Sequence, residues 1–327
     1  MTTQQDGGTL EPAQIEAVVG AAAAAPSILN CQPWWFHAHD GLVDVHAVPE
    51  QAPSILDPTG REVFLSLGAA VLNLRLAVAA LGRVPAVQLL PTPSAPRLVA
   101  RLRIGGPGRL SDLERPLFEA IPGRRSSRVP FSGEQIPYED FMHLQEAAAA
   151  EGGHLDAATG LHRDSVVDLL HEADRAQRGD RALIAEVARW TVDLGRPDVG
   201  IPRQSLGPRP RDPAATVRDL TLGGPAGDRP AADFETSALL AVLLTTGDHP
   251  IDWLRGGLAL ERVLLTATAR GLSVGVLSHA TEVTELRPLV RDPSSRWLHP
   301  QLVLRFGHGE PMPPTPRRPL GEVLQID

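Results

Sequence analysis

The chain is 327 residues long and 43% hydrophobic, with a net charge of −8 and a single cysteine. One cysteine rules out a disulfide scaffold, a zinc ribbon and an iron–sulfur cluster, and the negative balance opposes nucleic-acid binding, which neutralises phosphates over a broad basic face. All 31 basic residues are arginine, so any cation in a site is a guanidinium, and Schiff-base catalysis, pyridoxal phosphate included, is excluded.

Residues 1–6 lack the basic leader of a signal peptide, and no uncharged apolar run reaches ~18 residues, so a cytoplasmic setting with no membrane partner is expected. Residues 9–25 read as a helix, with Ile15, Val18 and Val19 among alanines, stopped by Pro26. Trp34 to His39, a turn at Asp40-Gly41 and the alternating run Leu42 to Val48 predict a β-hairpin. Residues 61–81 form a nearly all-apolar helix closed by Gly82, which belongs at the centre of a domain. A strand at 98–104 precedes a glycine/proline break at 105–108. Beyond it come helices at about 111–121, 137–151 and 164–195, the first followed by the basic cluster Arg124-Arg125-Ser126-Ser127-Arg128. The insert at about 196–231 carries seven prolines and reads as a functional lid or a segment without regular structure. A helix at about 253–270, an apolar run at 273–277, a strand at 301–306 and a proline-rich tail with arginines complete the chain.

The two parts of the chain echo each other. Gly68–Gly82 and Gly257–Gly271 are fifteen-residue helical segments bounded by glycine, sharing Gly68/Gly257, Ala70/Ala259, Leu76/Leu265, Ala80/Ala269 and Gly82/Gly271. Each is followed by a strand ending in Leu-Arg-x-Gly, at Leu102–Gly105 and Leu304–Gly307. The pattern is that of a duplication, although alanine-rich helices match by chance more easily than most.

Three segments carry chemistry. In Pro26-Ser27-Ile28-Leu29-Asn30-Cys31-Gln32-Pro33-Trp34, the Asn30 and Gln32 amides could meet the edge of a planar heterocycle or only satisfy a turn. Arg124, Arg125, Ser126 and Arg128 suit a phosphate, which guanidiniums clamp in bidentate fashion, though a solvated basic turn has the same composition. Arg317-Arg318-Pro319-Leu320 would be a tail charge by itself.

Together, Pro-Ser-x-x-Asn-x-Gln-Pro-Trp, Arg-Arg-Ser-x-Arg-x-x-Phe, Gly271-Leu272 and the terminal Arg-Arg-Pro-Leu resemble the FMN-dependent nitroreductase family over about residues 10–325. The usual family order of the first two motifs is inverted here, and neither half holds both. That departure resembles the Acg-like branch, a tandem fusion in which one chain imitates a dimer around a single flavin. The resemblance implies an α+β fold, internally duplicated, with antiparallel sheets packed on long central helices. It implies a first half at 1–110, a second at 111–327 with the lid-like insert, and a monomer imitating a dimer. By resemblance, Arg124, Arg125, Ser126, Arg317 and Arg318 hold the FMN phosphate and ribityl chain. Arg128 polarises N1/O2 of the ring, Pro26, Ser27, Ile28, Asn30 and Gln32 meet it from the other half, and Leu277 and Ser278 lie near N5. The family's usual Pro-x-Glu-Gly is replaced there by Val276-Leu277-Ser278-His279.

The implied activity is hydride transfer from NAD(P)H through FMN to a small-molecule acceptor, with no protein residue acting on bonds directly and no metal. The alternative is a flavin-sequestering or sensing protein whose insert closes the site and blocks turnover. Gly271-Leu-Ser-Val-Gly275 mimics a hydrolase nucleophile motif, but a helix precedes it where a strand is required.

Overall fold

The computed structural model describes residues 10–191, 197–212, 215–222 and 229–327. Position 9, the predicted helix end at 192–195 and parts of the 196–231 insert lie outside them. Helix α1 (Pro12–Ala23) leads through a tight turn into strands β1 (Trp34–His39) and β2 (Leu42–Ala47). Asp40 and Gly41 both have left-handed φ, of 46° and 71°, as a two-residue hairpin turn demands. Helix α2 (Arg61–Ala80) follows, then β3 (Arg83–Leu89), β4 (Leu98–Pro107) and the short α3 (Arg115–Ala120). The second half runs α4 (Tyr138–Ala149), β5 (His154–Ala157), α5 (Gly160–Gly179) and α6 (Arg181–Thr191), with the short ribbon β6 (Arg209–Pro210) and β7 (Ala231–Ala232) inside the insert. It continues through β8 (Leu239–Thr245), α7 (Pro250–Ala269), β9 (Ser273–Leu277), α8 (His279–Glu282), β10 (His299–Gly307), α9 (Leu320–Val323) and β11 (Leu324–Ile326).

The two main sheets share one plan. The order is β1-β2-β4-β3 in the first and β5-β8-β10-β9 in the second, each antiparallel throughout. In each, a long helix leaves the second strand and returns through the edge strand to the strand between them. The fold is thus α+β and internally duplicated. The C-terminal β11 crosses over and pairs in parallel with β1, covering an otherwise open edge of the first sheet.

The repeat-related helices α2 and α7 pack on each other at the centre. A Cβ added at Gly68 would stand 2.1 Å from the Leu254 carbonyl, and one at Gly257 would stand 2.1 Å from the Leu65 carbonyl. Each glycine therefore meets the carbonyl three residues before its counterpart, a local two-fold arrangement. α2 is long and apolar enough to cross a bilayer, yet 17 of its 20 residues are buried, so its hydrophobicity is consumed by α1, α7 and the first sheet.

Two sequence readings change. The single helix expected from 164 is two, because Asp180 adopts extended backbone and its carboxylate accepts from the Ala182 and Leu183 amides at 2.8 and 3.1 Å, starting a new helix. The strands β3, β5, β8 and β11 carry no legible alternation. β8 is apolar on both faces since Ala241 and Leu243 join the α4–α7 core while Leu240, Val242 and Leu244 join the α5–α8 core. β3 holds Pro85, which an edge strand tolerates.

Candidate cofactor site

Pro26 ends α1, and the chain then bends sharply. Leu29, Asn30 and Gln32 have left-handed φ of 44°, 55° and 51°, each costing about 1–2 kcal/mol for a residue with a Cβ, so surrounding contacts must hold the bend. Ser66 on α2 accepts from the Ile28 amide at 3.2 Å, and Ser27 Oγ accepts from the Gln32 amide at 3.0 Å. The Asn30 amide donates to the Gly200 and Pro316 carbonyls at 2.9 and 3.1 Å and accepts from Arg317 at 3.0 Å. Gln32 donates to the Asp198 carbonyl at 2.6 Å and accepts from the Arg318 amide at 2.9 Å. These two amides thus tie the bend to the insert and to the C-terminal segment.

Beside the bend lies a pocket lined by Arg124, Arg125, Ser126, Arg128, Thr315 and Arg317, with Pro26, Ser27 and Asn30 on its rim. The basic segment is pinned to β9, where the Ser127 amide donates to the Val274 carbonyl at 2.7 Å. Arg317 caps the C-terminus of α1, donating to the carbonyls of Ala23, Ala24 and Ala25 at 2.8, 2.9 and 3.2 Å. Burial, with Arg124 and Arg125 close by, lowers its pKa to about 9. Arg124 is buried, and its Nε and Nη1 have no hydrogen-bond partner; Glu261 Oε1 lies 3.5 Å from Nε. Arg125 donates to the Arg124 carbonyl at 2.7 Å. Four guanidiniums and a serine hydroxyl lining one pocket make an anion site by their chemistry.

The pocket adjoins a larger chamber, and Pro26, Ser27, Ser126 and Arg128 line both. Its walls are mainly apolar, from Ile28, Leu56, Leu65, Leu277 and, in the insert, Ile201 and Leu206. Arg128 donates to the Ser205 carbonyl at 3.1 Å, and burial together with Arg124 brings it down to about 10, still protonated at neutral pH. The chamber's polar lining includes Glu62, Arg218, Ser278, His279 and Glu282. Arg218 of the insert clasps Glu282 at 2.6 and 2.8 Å, and the Ser278 hydroxyl and Gln177 amide also donate to that carboxylate at 2.6 Å. Burial opposes the charge on Glu282, but Arg218 and these donors hold its pKa below the usual range. Glu62 goes the other way: burial and the Glu282 charge raise it to about 8. Burial, then Arg218, drives His279 down to about 3, so it is neutral.

The structure brings together Pro26, Ser27, Ile28, Asn30, Arg124, Arg125, Ser126, Arg128, Leu277, Ser278 and Arg317 along one cleft. Gln32 and Arg318 do not line it; the Arg318 guanidinium donates to Gln51 at 2.6 Å. Glu62, Arg218, Glu282 and Glu261 were not singled out from the sequence for the site. Glu62 and Glu261 had a signal, a carboxylate within a long, mainly apolar helix.

No family model matches the chain. Among curated relatives, a Mycobacterium tuberculosis H37Rv protein bearing the name NAD(P)H nitroreductase is 30% identical over 318 residues, covering 95% of this chain and 91% of its own length. The same organism's NAD(P)H nitroreductase acg is also 30% identical, over 319 residues and 95% of each chain. A crystal structure from Anabaena variabilis titled as a nitroreductase superposes with a TM-score of 0.55 at 10% identity, covering 93% of this chain and 90% of that one. With such identity running from end to end on a duplicated α+β fold, this chain belongs to the NAD(P)H nitroreductase family.

Proposed function

We propose that the protein is an FMN-binding oxidoreductase of nitroreductase type, using NAD(P)H to reduce a small acceptor. One observation carries this reading: a cation-lined pocket adjoins a mainly apolar chamber and shares four lining residues with it, which suits a molecule with a phosphate at one end and a planar ring at the other. Arg124, Arg125 and Ser126 hold the phosphate, with Arg317 fixing the pocket floor. Arg128 supplies a permanent positive charge where a reduced ring gathers negative charge. Pro26, Ser27 and Ile28 face the ring from the first half, and the 276–279 segment from the second. With FMN bound, the site gains a carrier that exchanges hydride with NAD(P)H and an acceptor. The residues bind and orient it, and the apolar walls with the insert exclude water.

In this reading the chain is one pseudo-dimer of halves 1–110 and 111–327, monomeric in solution. The insert's contribution to the chamber wall favours one rival, a flavin-sequestering protein. Anaerobic mixing of holoprotein with NADPH separates the two. The ~450 nm flavin band should bleach within seconds; persistence for minutes would favour sequestration. Arg124→Ala should retain at most about a tenth of the FMN affinity, as loss of a charged contact costs about 1.5–3 kcal/mol. Parent-like FMN affinity in that variant would refute the phosphate assignment.

A further inference from the structure

Behind the arginine pocket, three polar side chains meet inside the packed helix pair. Glu261 on α7 is fully buried, and neither carboxylate oxygen has a hydrogen-bond partner. Asn73 on α2 is equally buried with both amide atoms unpartnered, and Arg124 brings its own unpartnered Nε and Nη1 to the same place. Buried groups in this condition are costly, and a fold keeps them where they serve something other than stability. What faces Glu261 is Arg124 from the loop after α3, Asn73 from α2 and, farther off, Arg317 from the C-terminal segment.

We propose that Glu261 is the internal counter-charge of the arginine pocket, positioning Arg124 and taking up one proton from solvent when a phosphate dianion enters. With the pocket empty, the carboxylate offsets the repulsion among Arg124, Arg125 and Arg317. Once the dianion pairs with Arg124, Glu261 is left as a second anion in a low-dielectric interior, and like charges there disfavour its ionised form. The balance is one solvent proton onto a Glu261 oxygen, with no bond of the phosphate altered. Burial already raises Glu261 to about 7, against the pull chiefly of Arg124, so a small further push suffices.

The inference rests on the FMN reading, and the test separates the two. FMN and riboflavin, which lacks the phosphate, are titrated calorimetrically into the apoprotein near pH 8 in buffers of different ionisation enthalpy. The wild type should take up close to one proton with FMN and none with riboflavin, and its FMN Kd should rise about tenfold per pH unit in this range. Glu261→Gln should bind FMN without proton uptake and with a flat pH profile, its riboflavin affinity unchanged. Absence of uptake in the wild type, or equal uptake in Glu261→Gln, overturns the proposal, and the wild-type comparison decides even if the variant does not fold. A chain that binds neither flavin overturns the cofactor reading itself.

Discussion

At the scale of single residues, the site is shaped by where charge is left uncompensated. Glu62 and Glu282 face one chamber; among the described residues Arg61 alone donates to Glu62, at 3.0 Å, whereas Arg218, Ser278 and Gln177 all donate to Glu282, so the proton settles on Glu62. Its folded-state pKa, about 8, stands above the ~4.3 of an unfolded glutamate. The native chain therefore binds one more proton than the unfolded chain between those values. Linkage then makes this contribution complete below about pH 4.3 and lost as pH rises towards 8. Denaturant titrations at pH 5, 6.5 and 8 should show stability falling with pH, and Glu62→Gln should remove about 1–3 kcal/mol of that fall. A variant with the parental slope would place the proton elsewhere. Glu62 could be noticed in the sequence as a charge in an apolar helix. Its pKa could not, because that depends on Glu282, 220 positions away.

At the scale of elements, the α2–α7 crossing is the joint on which both halves turn. The obstacle to a methyl group at Gly68 or Gly257 is backbone carbonyl rather than a yielding side chain, so the helices themselves must part. Gly68→Ala and Gly257→Ala should each lose about 1–3 kcal/mol or more, lowering the melting temperature by several degrees. Gly20→Ala in α1, where a Cβ meets nothing within 4 Å, should be neutral or gain up to about 1 kcal/mol. Equal losses at all three positions would show that helical glycine in general, not the crossing, sets the effect. The long helices were legible because their apolar spacing and terminal glycine or proline are local. β8 was not, since a strand covered on both faces has no polar alternation to show. β11 was not, because three residues next to a proline-rich tail become a strand only when β1 offers them an edge.

At the scale of the whole molecule, two sheets of the same strand order and a reciprocal glycine contact repeat one plan within one chain. The cleft is lined by Pro26 to Ile28 after α1 and by the arginine segment and residues of β9 from later in the chain. The C-terminal segment then passes back across the first half, capping α1 through Arg317 and completing its sheet through β11. On the pseudo-dimer reading the purified protein should elute as a monomer of 35.0 kDa across a wide range of concentration. A concentration-independent dimer, measured by light scattering, would count against it.

The amino-acid sequence by itself determined α1, α2, α4 and α7, the hairpin turn, the duplicated glycine frame, the all-arginine cation set and the motifs that mark the family. These are properties of neighbours along the chain, set by spacing and by the backbone preferences of glycine and proline. Only the tertiary structure decided what each polar group does. It turned Gln32 and Arg318 into tethers, committed Asn30 to the insert and the tail, and made Arg317 a helix cap. It also left Arg124 Nε and Nη1 and both Glu261 oxygens facing each other without hydrogen-bond partners. The reason is physical: the cost of burying a charge, and the partner that offsets it, come from residues hundreds of positions distant that meet only when the two halves close on each other.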